Sequence, residues 1–120
     1  MNTTTQGTLA EEQAASYLTQ KGYQIIGRNF RVTGGEIDLI AMAHKTLVFV
    51  EVKKRSSQAF GGPIAAVTKT KQKRIAYASV QFIKMHTNLK FEEIRFDVIG
   101  ISPDEMEHLE NAFFPPRTTL

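Results

Sequence analysis

The chain has 120 residues, 42% hydrophobic and 22% charged, which excludes a disordered polypeptide and suits one core better than two. It carries a net charge of +3 and no cysteine, so disulfides and thiolate metal sites are excluded, in keeping with a cytoplasmic protein. No apolar run is long enough to span a membrane, and the opening Met1-Asn2-Thr3-Thr4-Thr5-Gln6 has neither the basic start nor the apolar stretch of a secretory signal. The expectation is therefore one domain over 1–120, cytoplasmic and without a membrane partner.

Residues 8–21 predict a helix, with Ala10, Ala14, Tyr17 and Leu18 at three- and four-residue spacing, Thr8 as cap and Gly22 as stop. A first strand over 23–30 is expected at or near a sheet edge, because Gly27 interrupts it. Gly34-Gly35 turns the chain into a second strand, 36–42, and Ala43-His44-Lys45-Thr46 returns it as a hairpin into a third, 47–54. These strands predict an antiparallel meander behind the first helix. Residues 55–67, with Gly61, Gly62 and Pro63, read as a loop with a short helical turn at 64–67. Thr68 caps a second helix over 69–86, whose apolar line is Ile75, Ala78, Phe82 and Met85. A fourth strand over 94–101, a short edge strand within 106–111 and a loose tail from Pro115 complete a small α/β domain. Tyr77, Phe82 and Phe96 read as core residues.

Charge is unevenly spread. Residues 52–91 hold nine Lys or Arg and no acid, while from residue 92 seven acids face two arginines. A basic middle facing nucleic acid accounts for this, and so does a solvated basic helix with an acidic strap over it.

Three ionisable groups interrupt apolar strands, and such groups need a partner or a metal. Asp38 shares a face with Glu36 and Ile40; Glu51 and Lys53 share one with Leu47 and Phe49, and valines 48, 50 and 52 fill the other. Asp38 and Glu51 are hard oxygen ligands suited to Mg²⁺ or Mn²⁺, with the Val52 carbonyl as a further ligand. Lys53 is placed to orient or deprotonate an attacking water. Together these groups are what metal-assisted phosphodiester cleavage uses; the plainer reading is a structural salt bridge from Lys53 to Asp38 or Glu51. Glu11 joins them from the first helix, because Ala14, Ala15 and Leu18 lie within about 60° of it. A plainer account is that the positive end of the helix compensates it there. Lys54 and Arg55, leaving the third strand, and Lys69, Lys71 and Lys73 on the second helix are candidate phosphate contacts. Lys71 lies about 40° from the Ile75 line, at the border of the packed face. Glu36 supports the site or holds the turn, and Arg95 and Asp97 face the same way and pair.

Gly7 with Glu11, Gly35-Glu36-Ile37-Asp38-Leu39-Ile40, Phe49-Val50-Glu51-Val52-Lys53 and Arg95-Phe96-Asp97-Val98 resemble the YraN family of small bacterial proteins. Phe60-Gly61-Gly62, Ala66-Val67-Thr68 and Asn111-Ala112-Phe113 extend the resemblance over roughly residues 7–113. That family is related to the archaeal Holliday-junction resolvases of the PD-(D/E)xK nuclease superfamily. The resemblance implies a restriction-endonuclease-like core, a mixed sheet with an antiparallel hairpin meander flanked by helices. It implies Asp38 and Glu51 as metal carboxylates, Lys53 beside the attacking water and Glu11 as the helix-borne acid of the resolvase branch. A departure is that Asp38 follows Glu36-Ile37 and not the proline that names the superfamily. The implied activity is a Mg²⁺- or Mn²⁺-dependent DNA endonuclease, acting on branched recombination or repair intermediates and leaving a 5′-phosphate and a 3′-hydroxyl. By analogy with resolvases a homodimer would present two sites. RNA would fit the same site, and a non-catalytic nucleic-acid-binding or scaffold protein on the same fold is the competing reading.

Overall fold

Residues 39–43 and 47–50 are continuous apolar runs, and burying both faces of one sheet under two helices satisfies that pattern. The computed structural model describes residues 3–54 and 67–114, with 3–8 described by backbone alone. Its elements are α1 (Thr3–Gln20), β1 (Gln24–Val32), β2 (Gly35–Ala43), β3 (Thr46–Lys54), α2 (Lys69–Met85), β4 (Glu93–Ile101) and β5 (Met106–Leu109). The strands form one sheet in the order β1-β2-β3-β4-β5. β1, β2 and β3 make the expected antiparallel meander, β4 lies parallel to β3 after the α2 crossover, and β5 closes the far edge antiparallel to β4. This is a mixed α/β fold with a central sheet flanked by helices. No helix among the described residues is long and apolar enough to cross a membrane.

The period-two reading of the strands sets the two cores. Val48 and Val50 pack with Leu39, Ala41 and Ile99 beneath Ala14 and Leu18 of α1. Leu47, Phe49 and Ile40 pack with Val98 beneath Ile75, Ala78 and Phe82 of α2. Alternation fails at one place on β2. Ile37 belongs to the α2 core and Leu39 to the α1 core, so the strand rotates around Asp38. The facing stretch of β1 rotates too: Asn29 adopts φ 49°, a left-handed conformation that Asn tolerates. Arg28 then pairs with Glu12 of α1, while Phe30 packs edge-on against Phe82 of α2.

Several expectations are corrected. α1 starts at Thr3 and not at residue 8, so Glu11 lies beyond the first turn, which holds no acid. The helix-end account of Glu11 therefore fails. Gly22, at φ 100°, does end the helix, and the Tyr23 N–H donates back to the Leu18 carbonyl at 2.9 Å. Met85 is 64% exposed, because α2 ends there and the chain turns away at His86. Tyr77 is 43% exposed and lies over the turn at Gly34 instead of in the core. Among the described residues the C-terminal acids find partners away from α2: Glu92 pairs with Lys45, and Glu110 with Lys21 and Arg95. The helical turn foreseen at 64–67, Arg55 and the tail from Pro115 lie outside the described residues, apart from Val67.

Gly35 sets how closely α2 approaches the sheet. A Cβ there would collide with the Arg74 carbonyl and come within 3.1 Å of the Ala78 Cβ. Gly35→Ala is expected to lower stability by about 1–3 kcal/mol in urea denaturation, the usual scale of overpacking. An unchanged midpoint would mean that α2 can back away freely.

Candidate active site

β2 and β3 are hydrogen-bonded from the hairpin as far as the pair Leu39↔Val50, and there their pairing stops. β3 stays paired with β4 through Lys54, and β2 with β1 through Gly35, so a wedge opens between the two central strands. Asp38 fills the mouth of that wedge. Its Oδ2 accepts the Val52 N–H at 2.8 Å, in place of the backbone partner that β2 no longer supplies. Asp38 and Glu51 are thereby brought close enough for each carboxylate to act on the other, with Glu11 near enough for its charge to act on Asp38.

The electrostatics of the pair follow from that geometry. Burial pushes the Asp38 carboxyl up, the neighbouring Glu51 pushes it further, the Val52 N–H pulls it down, and the result is about 7. Two neighbouring carboxylates partly withdrawn from water resist double ionisation, and a hard divalent cation relieves that cost. The donor set therefore fits Mg²⁺ or Mn²⁺ in its chemistry. Among the described residues no group of three His, Asp or Glu gathers closely enough to hold an ion, so Glu11 stands off from the Asp38–Glu51 pair.

Lys71 brings a positive charge onto the pair. Its Nζ lies 2.6 Å from Glu51 Oε2, so the helix lysine, at the border of the packed face, reaches back over the site. Burial opposes the charge on Lys71, but the bond to Glu51 and the charges of Glu51, Asp38 and Glu36 outweigh it and raise the ammonium's pKa. Glu36 lines a cavity of about 340 Å³ with Lys71, Arg74 and Thr70, beside the pair, and contacts Arg31 at 3.6 Å. Lys53 is half-buried on the Glu51 side of β3; Lys54, Lys69 and Lys73 are exposed.

A second polar cluster lies on the α1 side of β4. Asp97 takes a forked pair of bonds from Arg95 at 2.9 Å each, one from the Asn111 N–H at 2.9 Å and one from His108 Nε2 at 2.8 Å. The expected Arg95–Asp97 pair is thus present. Its links to His108, Tyr17 and Tyr23 were missed, although an acid inside an apolar strand was the available signal.

The Asp38 shift has a measurable consequence. In the unfolded chain this carboxyl ionises near 4, and in the fold near 7. Between those values the folded state holds the extra proton, so stability falls as pH rises through this window and the penalty is complete above it. Asp38→Asn keeps an acceptor for the Val52 N–H and removes the charge. In chelator it should stabilise the protein by roughly 1–3 kcal/mol at pH 8, with the gap closing towards pH 5. An Asn variant less stable than wild type at pH 8 would contradict this reading.

Comparison with known proteins places the chain. The model of the uncharacterised protein family UPF0102 matches residues 10–101. A UPF0102 protein of Cupriavidus metallidurans is 45% identical over 113 residues, covering 93% of this chain and 83% of the relative. One from Thermodesulfovibrio yellowstonii is 45% identical over 109 residues, covering 90% and 95%. One from Sulfurihydrogenibium is 40% identical over 113 residues, covering 94% and 97%. With matches over most of both lengths, the chain belongs to the UPF0102 family.

Proposed function

We propose that the protein is a metal-dependent endonuclease that hydrolyses phosphodiester bonds in DNA, with branched or flapped recombination and repair intermediates as its substrates. The observation that carries this reading is the closeness of Asp38 and Glu51 at the wedge, where Glu51 helps to push the Asp38 carboxyl up; such closeness is unfavourable for two carboxylates unless a cation serves them. The mixed sheet between two helices is consistent with a restriction-endonuclease-like core. Asp38, Glu51 and the Val52 carbonyl would hold Mg²⁺ or Mn²⁺, with Glu11 standing off yet close enough for its charge to act on Asp38. When bound, such an ion polarises a phosphate oxygen and makes water a stronger acid.

The chain's own groups do the rest. The Val52 N–H fixes the Asp38 carboxylate, and the rotation of β2 aims it into the wedge. Lys53, on the Glu51 side of β3, orients the attacking water and offsets negative charge gathering on the phosphate. Lys54, Lys69 and Lys73 are exposed and meet the backbone rather than the bases, so binding is salt-dependent and tolerant of sequence.

One observation favours a second reading. Lys71 already neutralises Glu51, and the described acids do not form a three-membered cluster. A non-catalytic nucleic-acid-binding protein on the same fold would look like this. A gel assay across junction, flap, duplex and single-stranded DNA and matching RNAs, in Mg²⁺ and Mn²⁺, separates the two. Lys53→Ala should bind substrate and fail to cut it. Lys69→Ala with Lys73→Ala should weaken binding and lower its salt slope by up to about one phosphate contact per lysine. Tight binding by purified wild type with no cleavage in any metal would establish the second reading, and cutting of RNA alone would reassign the substrate.

A further inference from the structure

Lys71 and Glu51 are unequal partners. The Glu51 side chain is 6% exposed and that of Lys71 is 51% exposed, across a 2.6 Å contact. The start of α2 is fixed, since the Lys71 N–H donates to the Thr68 hydroxyl at 3.1 Å. The Lys71 side chain, by contrast, is a flexible stem carrying a compact charge. It borders the cavity of about 340 Å³ that Thr70 and Arg74 also line, so a second partner can be reached without moving the helix.

Building on the proposed metal centre, we infer that Lys71 is an internal counter-cation that competes with the divalent ion for Glu51 and yields when a nucleic-acid phosphate in the adjoining cavity takes its ammonium. In the metal-free protein the ammonium compensates a carboxylate that is almost wholly buried. A divalent ion approaching the same carboxylate meets that positive charge at close range, and the repulsion weakens its binding. A phosphate chain offers Lys71 a different anion. Whatever draws Lys71 from Glu51 raises the affinity for the ion, and by linkage the ion raises the affinity for the phosphate chain by the same factor. The site then loads its ion together with its substrate and holds little metal at rest.

Calorimetric titration of Mn²⁺ into wild type, Lys71→Gln, Arg74→Gln and Glu51→Gln tests this, with and without a short DNA duplex made nuclease-resistant by phosphorothioate linkages. Without DNA, Lys71→Gln should bind Mn²⁺ about five- to tenfold more tightly than wild type, the lower part of the range for coupled sites. The duplex should tighten Mn²⁺ binding to wild type by a similar factor and leave Lys71→Gln unchanged. Arg74→Gln removes a charge from the same cavity wall and should stay near wild type. Equal or weaker binding by Lys71→Gln overturns the inference, as does equal tightening in Arg74→Gln or a duplex without effect on wild type. If Glu51→Gln still abolishes binding in that case, the metal centre stands and only the competition by Lys71 falls. Mn²⁺ binding that survives Glu51→Gln, or is absent from every form, removes both.

Discussion

Asp38→Asn should lower metal-dependent cleavage of a junction or flap DNA by at least about a hundredfold, the scale on which losing one preorganised charged group acts. The change is almost isosteric, and its amide oxygen can keep the Val52 N–H bond that Asp38 Oδ2 makes at 2.8 Å. What disappears is the negative charge, and with it one of the two neighbouring carboxylates at the wedge. The same substitution is expected to make the metal-free protein more stable above pH 7, because the Asp38 carboxyl is pushed up to about 7 by burial and by Glu51. Activity and stability therefore move in opposite directions, as they do at sites where function is kept at a cost to the fold. A misfolding artefact would move them together. Glu51→Gln should lose cleavage to a similar degree while still accepting from Lys71. Unimpaired cutting by Asp38→Asn in matched preparations would point to another site or a contaminant.

Asp97→Ala should destabilise the protein by about 3–5 kcal/mol, the scale for breaking a buried charged network by removing one partner. Asp97 is 0% exposed, and every bond it accepts is lost at once. Arg95 would keep Tyr23 and Glu110 as partners, whereas the Asn111 N–H and His108 Nε2 would lose their acceptor. Burial opposes ionisation of Asp97, but His108, Arg95 and the Asn111 N–H outweigh it and hold the carboxyl below its usual range. A lowered carboxyl contributes stability that is present above the unfolded value, near 4, and lost as pH falls through the folded one. The cost of Asp97→Ala should accordingly be full at pH 7 and shrink in strong acid. The network also ties α1 to the far edge of the sheet, since His108 Nδ1 lies 3.2 Å from both the Tyr17 hydroxyl and Lys21 Nζ. Urea denaturation at pH 7 measures the effect, and a loss under about 1 kcal/mol would show that the cluster is peripheral.

Much of this architecture is legible in the residues because burial is periodic. Valines 48, 50 and 52 alternate with Leu47, Phe49 and Glu51, and that alternation alone assigns the two faces of β3. Thr68 announces the start of α2 through its cap, and Asp38 and Glu51 stand out as acids in apolar strands. The start of α1 was not legible: Thr3, Thr4, Thr5 and Gly7 are weak helix formers, so nothing local extends the helix back to Thr3. Strict alternation also missed the rotation of β2 at Asp38, which lies opposite the left-handed Asn29 of β1. The reach of Lys71 to Glu51 had only a faint signal, its position bordering the Ile75 line. The partnership of Asp97 with His108 and Tyr17 joins β4 to β5 and α1, and pairing over such separations leaves no period in the chain.

If Asp38 and Glu51 form one divalent-ion centre, anomalous diffraction from crystals grown with Mn²⁺ will locate the ion. A single strong anomalous peak is expected between the Asp38 and Glu51 carboxylates, with the Lys71 ammonium withdrawn from the Glu51 oxygen it contacts at 2.6 Å. At saturating Mn²⁺, a wedge without a peak, or a peak away from both carboxylates, would contradict such a centre.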